Sequence, residues 1–457
     1  MKIDRSRPPA PGAAAPFTFP VWERHRLANG VQLMMLPETR IPLAHVEILL
    51  ASGAEADPLE HRGLTPLASG LLDEGTQRHG SIEIADTVEL LGASLFTSGD
   101  WDGVYVGTSS LSRHSEELFR LIAEIVRTPS FPPVELERLR RMGLADLANR
   151  ASQPGFVAGR HVLNMVYGRE HPYGESLAGT AEGLSAIERN DVRAWHRQRA
   201  RPAETTIVAV GDVTAEQIGK LAEEHFGDWA ARESHEPRRA PAPAARVGRR
   251  VRVIDRPNAT QTELRVARVG LPRDSPSFLA ARLLNLVLGG KFTSRLNLNL
   301  RESRAITYGV HSRLSGRRGP GPFTVSCAVD SEAAGIAVGE IIGEIDRLAA
   351  EPGPTGEIAD AKNYLLGTLP YRIQTLEGRV DHLAEIALYS LADDFFRTLP
   401  AAVEAVSTEE LESCAGNLLR TDDLAIAAVG PAAVVQPQLE AFGELEVIVE
   451  NGPPDLS

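Results

Sequence analysis

Apolar residues recur at spacings of three and four in GLTPLASGLLDEGT, residues 63–76. Leu64, Leu67, Ala68, Leu71 and Leu72 fall on one face, which predicts a helix with Gly75 just past its end. Before it, Asn29-Gly30 between two strand-like runs predicts a hairpin, and LAHVEILLAS (43–52) predicts a strand. A helix over 82–91 leads through Gly92 into two strands around the Gly-Asp-Trp-Asp-Gly turn at 99–103. Residues 116–126 place Leu118, Ile122 and Ile125 or Val126 on one side of an amphipathic helix. Pro132-Pro133 then opens a long charged helix, and a strand follows at 205–213.

The same order of elements returns later. HVEILLASG ending at Gly53 matches TELRVARVG ending at Gly270, and IVAVG ending at Gly211 matches IAAVG ending at Gly430. The near-constant offset argues for an internal duplication into two similar halves. Between them, RESHEPRRAPAPAARVG (232–248) is rich in Pro, Ala and charge, as linkers are. The expected organisation is a mobile arm over 1–18, a domain over 19–231, a linker over 232–248 and a second domain over 249–457. The fold class is α+β, with two similar tandem α/β domains.

Length and charge narrow the function. At 457 residues one core is not enough, so two or more domains are expected. A net charge of −13 argues against nucleic acid as a partner. Two cysteines, Cys327 and Cys414, make neither a disulfide scaffold nor a cysteine metal site. No run of 18 apolar residues suggests a membrane span, and the Pro/Ala-rich N-terminus lacks the apolar core of a leader. The expected location is the cytoplasm, or the periplasm if a leader has been removed. Glu60-His61, Glu170-His171 and Glu224-His225 each lack a histidine four residues before their own, having Asp57, Tyr167 and Leu221 there. Gly289-Gly290-Lys291 fails as a phosphate loop because Asn285 and Phe292 replace its glycine and hydroxyl residues.

With these landmarks, GLTPLASGLLDEGT resembles the inverted zinc-motif region of the pitrilysin/insulinase (M16) peptidases, where the helix reads G-L-x-H-x-x-E-H before a G-T pair. The resemblance puts the first histidine on Pro66, the glutamate on Ser69 and the second histidine on Gly70. The third ligand, a glutamate on the helix beginning Glu137-Arg138-Leu139-Arg140, falls on Asp146. Histidines four apart on a helix share one metal ion, and a neighbouring glutamate takes the proton of the metal-bound water. None of the first three positions can do either. His171-Pro172-Tyr173-Gly174 and Val210-Gly211-Asp212 also fit the family, which implies its two-domain, LuxS/MPP-like arrangement.

The second half keeps what the first has lost. Ser275 is the expected N-cap of the apolar helix in SPSFLAARLLNLVLGG, with Gly289 past its end. Beyond it, Leu300-Arg301 and Tyr308 match the family's L-R-x-x-x-x-x-x-Y frame. The resemblance implies that these two residues face a metal from the opposite half, donating to the scissile carbonyl and to the oxyanion formed from it. Arg304 and Arg313 lie nearby without the family spacing. The chain therefore resembles the non-catalytic subunit of a two-subunit M16 zinc peptidase: inactive alone, without a cofactor of its own, paired with a zinc-bearing subunit, and acting on unfolded peptides. Two other readings stay open. One is a structural or binding homologue with no part in proteolysis. The other is an autonomous enzyme with an unrecognised metal site that includes Asp146.

Overall fold

The computed structural model describes residues 18–230, 239–244, 247–353 and 355–449. Two six-stranded sheets organise it. The first holds β1 (Glu23–Arg26), β2 (Gln32–Pro37), β3 (Leu43–Leu50), β4 (Ser94–Gly99), β5 (Val104–Leu111) and β6 (Thr205–Gly211) in the order β1-β2-β6-β3-β5-β4. The second holds β7 (Arg250–Asp255), β8 (Gln261–Val269), β9 (Val310–Leu314), β10 (Pro322–Asp330), β11 (Ala425–Gly430) and β12 (Glu444–Ile448) in the order β12-β7-β11-β8-β10-β9. Five strands correspond one to one, so the duplication is real at the level of topology. The sixth differs: β1 is antiparallel to β2, whereas β12 is parallel to β7.

Both central strands, β6 and β11, are buried at every position. A strand reads as one apolar run when both faces of its sheet are covered. Part of that cover is exchanged between the halves. The Pro154–Tyr167 helix packs on β8 and β11 of the second sheet, and the Leu376–Tyr389 helix packs on β3 and β6 of the first. Alternation along the strands follows from this. Leu33, Met35, Ile207 and Ala209 join the core of the first half, whereas Met34, Leu36, Val208 and Val210 join the core of the second.

Two local expectations shift. The helix opened by Gly63 ends at Ser69, and Leu71 and Leu72 continue as tight turns bonded to Ala68 and Ser69 three residues back. The Phe278–Asn285 helix is preceded by Ser277, not Ser275, and runs on as a wide π-helical turn over Leu286–Gly290. The expected arm lies outside the described residues except for Thr18, as does much of the expected linker. Its described part is docked: Arg239 pairs with Asp274, Ala240 is buried, and the Pro241 carbonyl accepts from His171 Nε2 at 2.7 Å. No helix among the described residues is long and apolar enough to cross a membrane.

Candidate functional site

Gly63 starts the Leu64–Ser69 helix at φ 97°, and a Cβ there would collide with Leu184 and the Ala178 carbonyl. Asp57 secures the first turn. Its carboxylate accepts from Thr65 N at 2.8 Å and Thr65 Oγ1 at 2.7 Å, and pairs with buried Arg199 at 2.6 Å. Trp195 Nε1 donates to Thr65 Oγ1 at 2.9 Å. Asp57 is thus a structural cap.

Pro66, Gly70 and Asp146 come together along one groove of about 380 Å³, walled by Leu67, Leu139 and Leu184. Ser69 is buried, and its hydroxyl donates to the Pro66 carbonyl at 3.1 Å. Asp146, the one carboxylate lining the groove, accepts from Arg150 Nε at 2.6 Å. A guanidinium neutralises the acid, and the opposite wall offers a pyrrolidine ring and a bare backbone. Zinc does not fit this donor set. Among the described residues no group of three or more His, Cys, Asp or Glu side chains converges on a metal position.

Arg301 lies in a second π-helical turn, Asn297–Ser303, and Tyr308 stands two residues before β9. Asn297 clamps the ends of this segment: its Nδ2 donates to the Val310 carbonyl at 2.9 Å and its Oδ1 accepts from Val310 N at 3.2 Å. Thr307 Oγ1 donates to the Ala328 carbonyl at 2.7 Å. Between these anchors Tyr308 is 93% exposed. The Arg301 guanidinium stacks 4.1 Å from the ring centre of Phe292, with Nε 3.4 Å from Glu302 Oε1. Arg304 is taken up by Glu340.

Neither Arg301 nor Tyr308 lines a chamber of about 880 Å³ between the first sheet and helices of the second half. Arg313 does, together with His45, Glu47, Arg282 and Asn285. Sequence reasoning passed over His45 and Glu47. Their only signal was two polar residues, two apart, in a strand otherwise apolar from Val46 to Leu50. A loop of the second half latches the chamber's side. Arg317 lies between Trp101 and Tyr173, 4.4 Å from each ring centre, and the Arg318 backbone N–H and guanidinium bond to Asp102 and Glu55.

Residues 186–365 match the family described as Peptidase M16 inactive domain. An uncharacterized zinc protease of Mycobacterium tuberculosis is 25% identical over 426 residues, covering 91% of this chain and 94% of that protein. A non-peptidase homolog, YmxG, of Helicobacter pylori is 22% identical over 429 residues, covering 89% and 93%. The crystal structure of a peptidase M16 inactive domain from Pseudomonas fluorescens superposes with a TM-score of 0.83 at 24% identity, over 90% of this chain and 98% of that one, which shows a shared fold.

Proposed function

We propose that this chain, which residues 186–365 and relatives along most of its length liken to the inactive members of the M16 peptidase family, is the substrate-binding subunit of a two-chain zinc metallopeptidase. The partner subunit supplies the metal-activated water. This chain supplies Arg301 and Tyr308, which hold the scissile carbonyl of an unfolded peptide and donate to the oxyanion as the water adds.

The observation that carries the reading is Tyr308 at 93% exposure, its phenol held outward between two anchored residues. An exposed tyrosine on a fixed segment contributes little to folding and is available to another surface. Arg301, stacked on Phe292, is restrained beside it in sequence. The latch formed by Arg317 and Arg318 joins the two halves of this chain, and in this reading the partner subunit provides the surface that meets the pair.

The test is reconstitution. Mixed with a chain of similar length that carries H-x-x-E-H, this chain should give peptide cleavage that neither gives alone. Full turnover in assembled complexes carrying Arg301→Ala or Tyr308→Phe would instead assign the chain a structural role. Stoichiometric zinc in the isolated chain would point to an autonomous enzyme.

A further inference from the structure

The chamber between the two halves has a floor and a rim of different chemistry. His45 and Glu47, 3% and 4% exposed, form the floor from β3. Both His45 ring nitrogens, Glu47 Oε1 and Asn285 Oδ1 are buried without a hydrogen-bond partner. Glu377 Oε1 stands 3.7 Å from His45 Nδ1, beyond hydrogen-bond reach. Buried polar atoms are nearly always satisfied, so four orphans around one cavity need an explanation.

The opposite wall is cationic. Arg282 is half-buried, and Arg313 and Arg372 are exposed at the rim. None of the three forms a side-chain hydrogen bond or ion pair among the described residues. The acids of the chamber are largely committed elsewhere. Glu385 accepts from Arg273 at 2.6 Å, and Asp100 accepts from the backbone of Asp102 and Gly103 and from Tyr105. Glu377 and Asp381 remain as counter-charges in the lining. Burial pushes the Glu47 carboxyl up to about 8 and holds the His45 imidazole below its usual value, so the floor is uncharged near neutrality. Burial lowers Arg282 only to about 10, which leaves it cationic.

The duplicated half shows what a closed version looks like. The registers β3 to β6 and β8 to β11 set His45 opposite Val210 as Glu263 is opposite Val429, and Glu47 opposite Val208 as Arg265 is opposite Ala427. Glu263 and Arg265 satisfy each other at 2.7 Å, and Arg265 also donates to the Gly155 carbonyl of the exchanged helix. A Cβ on Gly155 would lie 2.9 Å from that guanidinium, so nothing else fits. The first half keeps the same positions polar, leaves them unpaired and leaves the space open.

We propose that this chamber binds a small oligoanion, a polycarboxylate or a phosphate ester, whose charged groups meet Arg282, Arg313 and Arg372 while its hydroxyl groups meet His45, Glu47 and Asn285. Arginine suits both anions because its planar fork matches carboxylate and phosphate alike. This site is separate from Arg301 and Tyr308 and does not depend on the peptidase reading. The experiment is calorimetric titration of the full chain with citrate and, separately, inorganic pyrophosphate, at an ionic strength fixed with potassium chloride. One-site saturable binding is expected for at least one, weakened tenfold or more by Arg282→Gln with Arg313→Gln. Citrate alone would identify a carboxylate ligand, and pyrophosphate alone a phosphate ligand. Thermal melts check that the double variant folds, and if it does not, Arg313→Gln at the exposed rim carries the comparison. No saturable heat with either probe, binding indifferent to the substitutions, or binding of an acidic tetrapeptide but neither probe would overturn the proposal.

Discussion

Arg318 pairs with Glu55 across 263 residues of sequence, with side chains 7% and 0% exposed. Burial and neighbouring Asp102 push the Glu55 carboxyl up, and the guanidinium pulls against both. Two halves that look separable in sequence are joined here by a charge pair removed from solvent.

Arg318→Ala is expected to destabilise strongly. Removing one member of a buried pair leaves an uncompensated acid and costs about 3–5 kcal/mol. The backbone N–H to Asp102 would survive, so the loss reads on the side chain. Urea denaturation checks this, and a change below 1 kcal/mol would show that the latch is not the seam.

Tyr308→Phe should leave the isolated chain's stability within about 0.5 kcal/mol, since the phenol is exposed and unbonded. In the reconstituted complex the same change should lower kcat by about 100- to 1,000-fold, the loss of one oxyanion donor. Equal melting temperatures with equal turnover would remove Tyr308 from the chemistry.

Stability should fall as pH rises between about 6.5 and 8. Glu47 is protonated in the folded chain up to about 8, whereas in the unfolded chain it ionises near the ordinary carboxylate value. The native state therefore holds the extra proton, and raising pH penalises it by up to ~1.4 kcal/mol per unit. His45, whose folded value is depressed, acts in the opposite sense below its unfolded value, so the window above about 6.5 leaves its contribution out, while Glu55, also pushed up, adds to the slope in the same sense as Glu47. Glu47→Gln should make the profile there less steep, leaving the Glu55 contribution, in chemical denaturation series. An unchanged slope would contradict the assignment.

Gly70→Ala is expected to stabilise by about 0.4–1 kcal/mol. Gly70 sits at φ −67°, ψ −10°, and an added Cβ would be 3.4 Å from the Pro66 carbonyl oxygen and 3.7 Å from Leu139. A side chain there restricts the unfolded chain at no steric cost. A lower melting temperature would mean that the vacated groove tolerates less than its geometry allows.

Much of this was legible in advance. The spacing of Leu64, Leu67 and Ala68, the offset linking Gly211 to Gly430, and the order of strands follow from periodicities that neighbouring residues impose on one another. The placement of Pro66, Gly70 and Asp146 along one groove was likewise readable once the resemblance was seen. Ser69 as the helix end was not. Whether Leu71 and Leu72 extend a helix or a turn depends on competing tertiary burial, and Gly70 makes the two close in energy.

Sequence by itself determined that the chain has two like halves, that Pro66, Ser69 and Gly70 offer neither imidazole nor carboxylate, and that an arginine and a tyrosine stand seven residues apart in the second. Only the tertiary structure decided that each half lends a helix to the other's sheet, that Arg318 finds Glu55, and that His45 and Glu47 face an open chamber while Glu263 and Arg265 close on each other. Periodicity is a local property written along the chain. Which faces meet, and which charges are left without a partner, is set by neighbours hundreds of residues away.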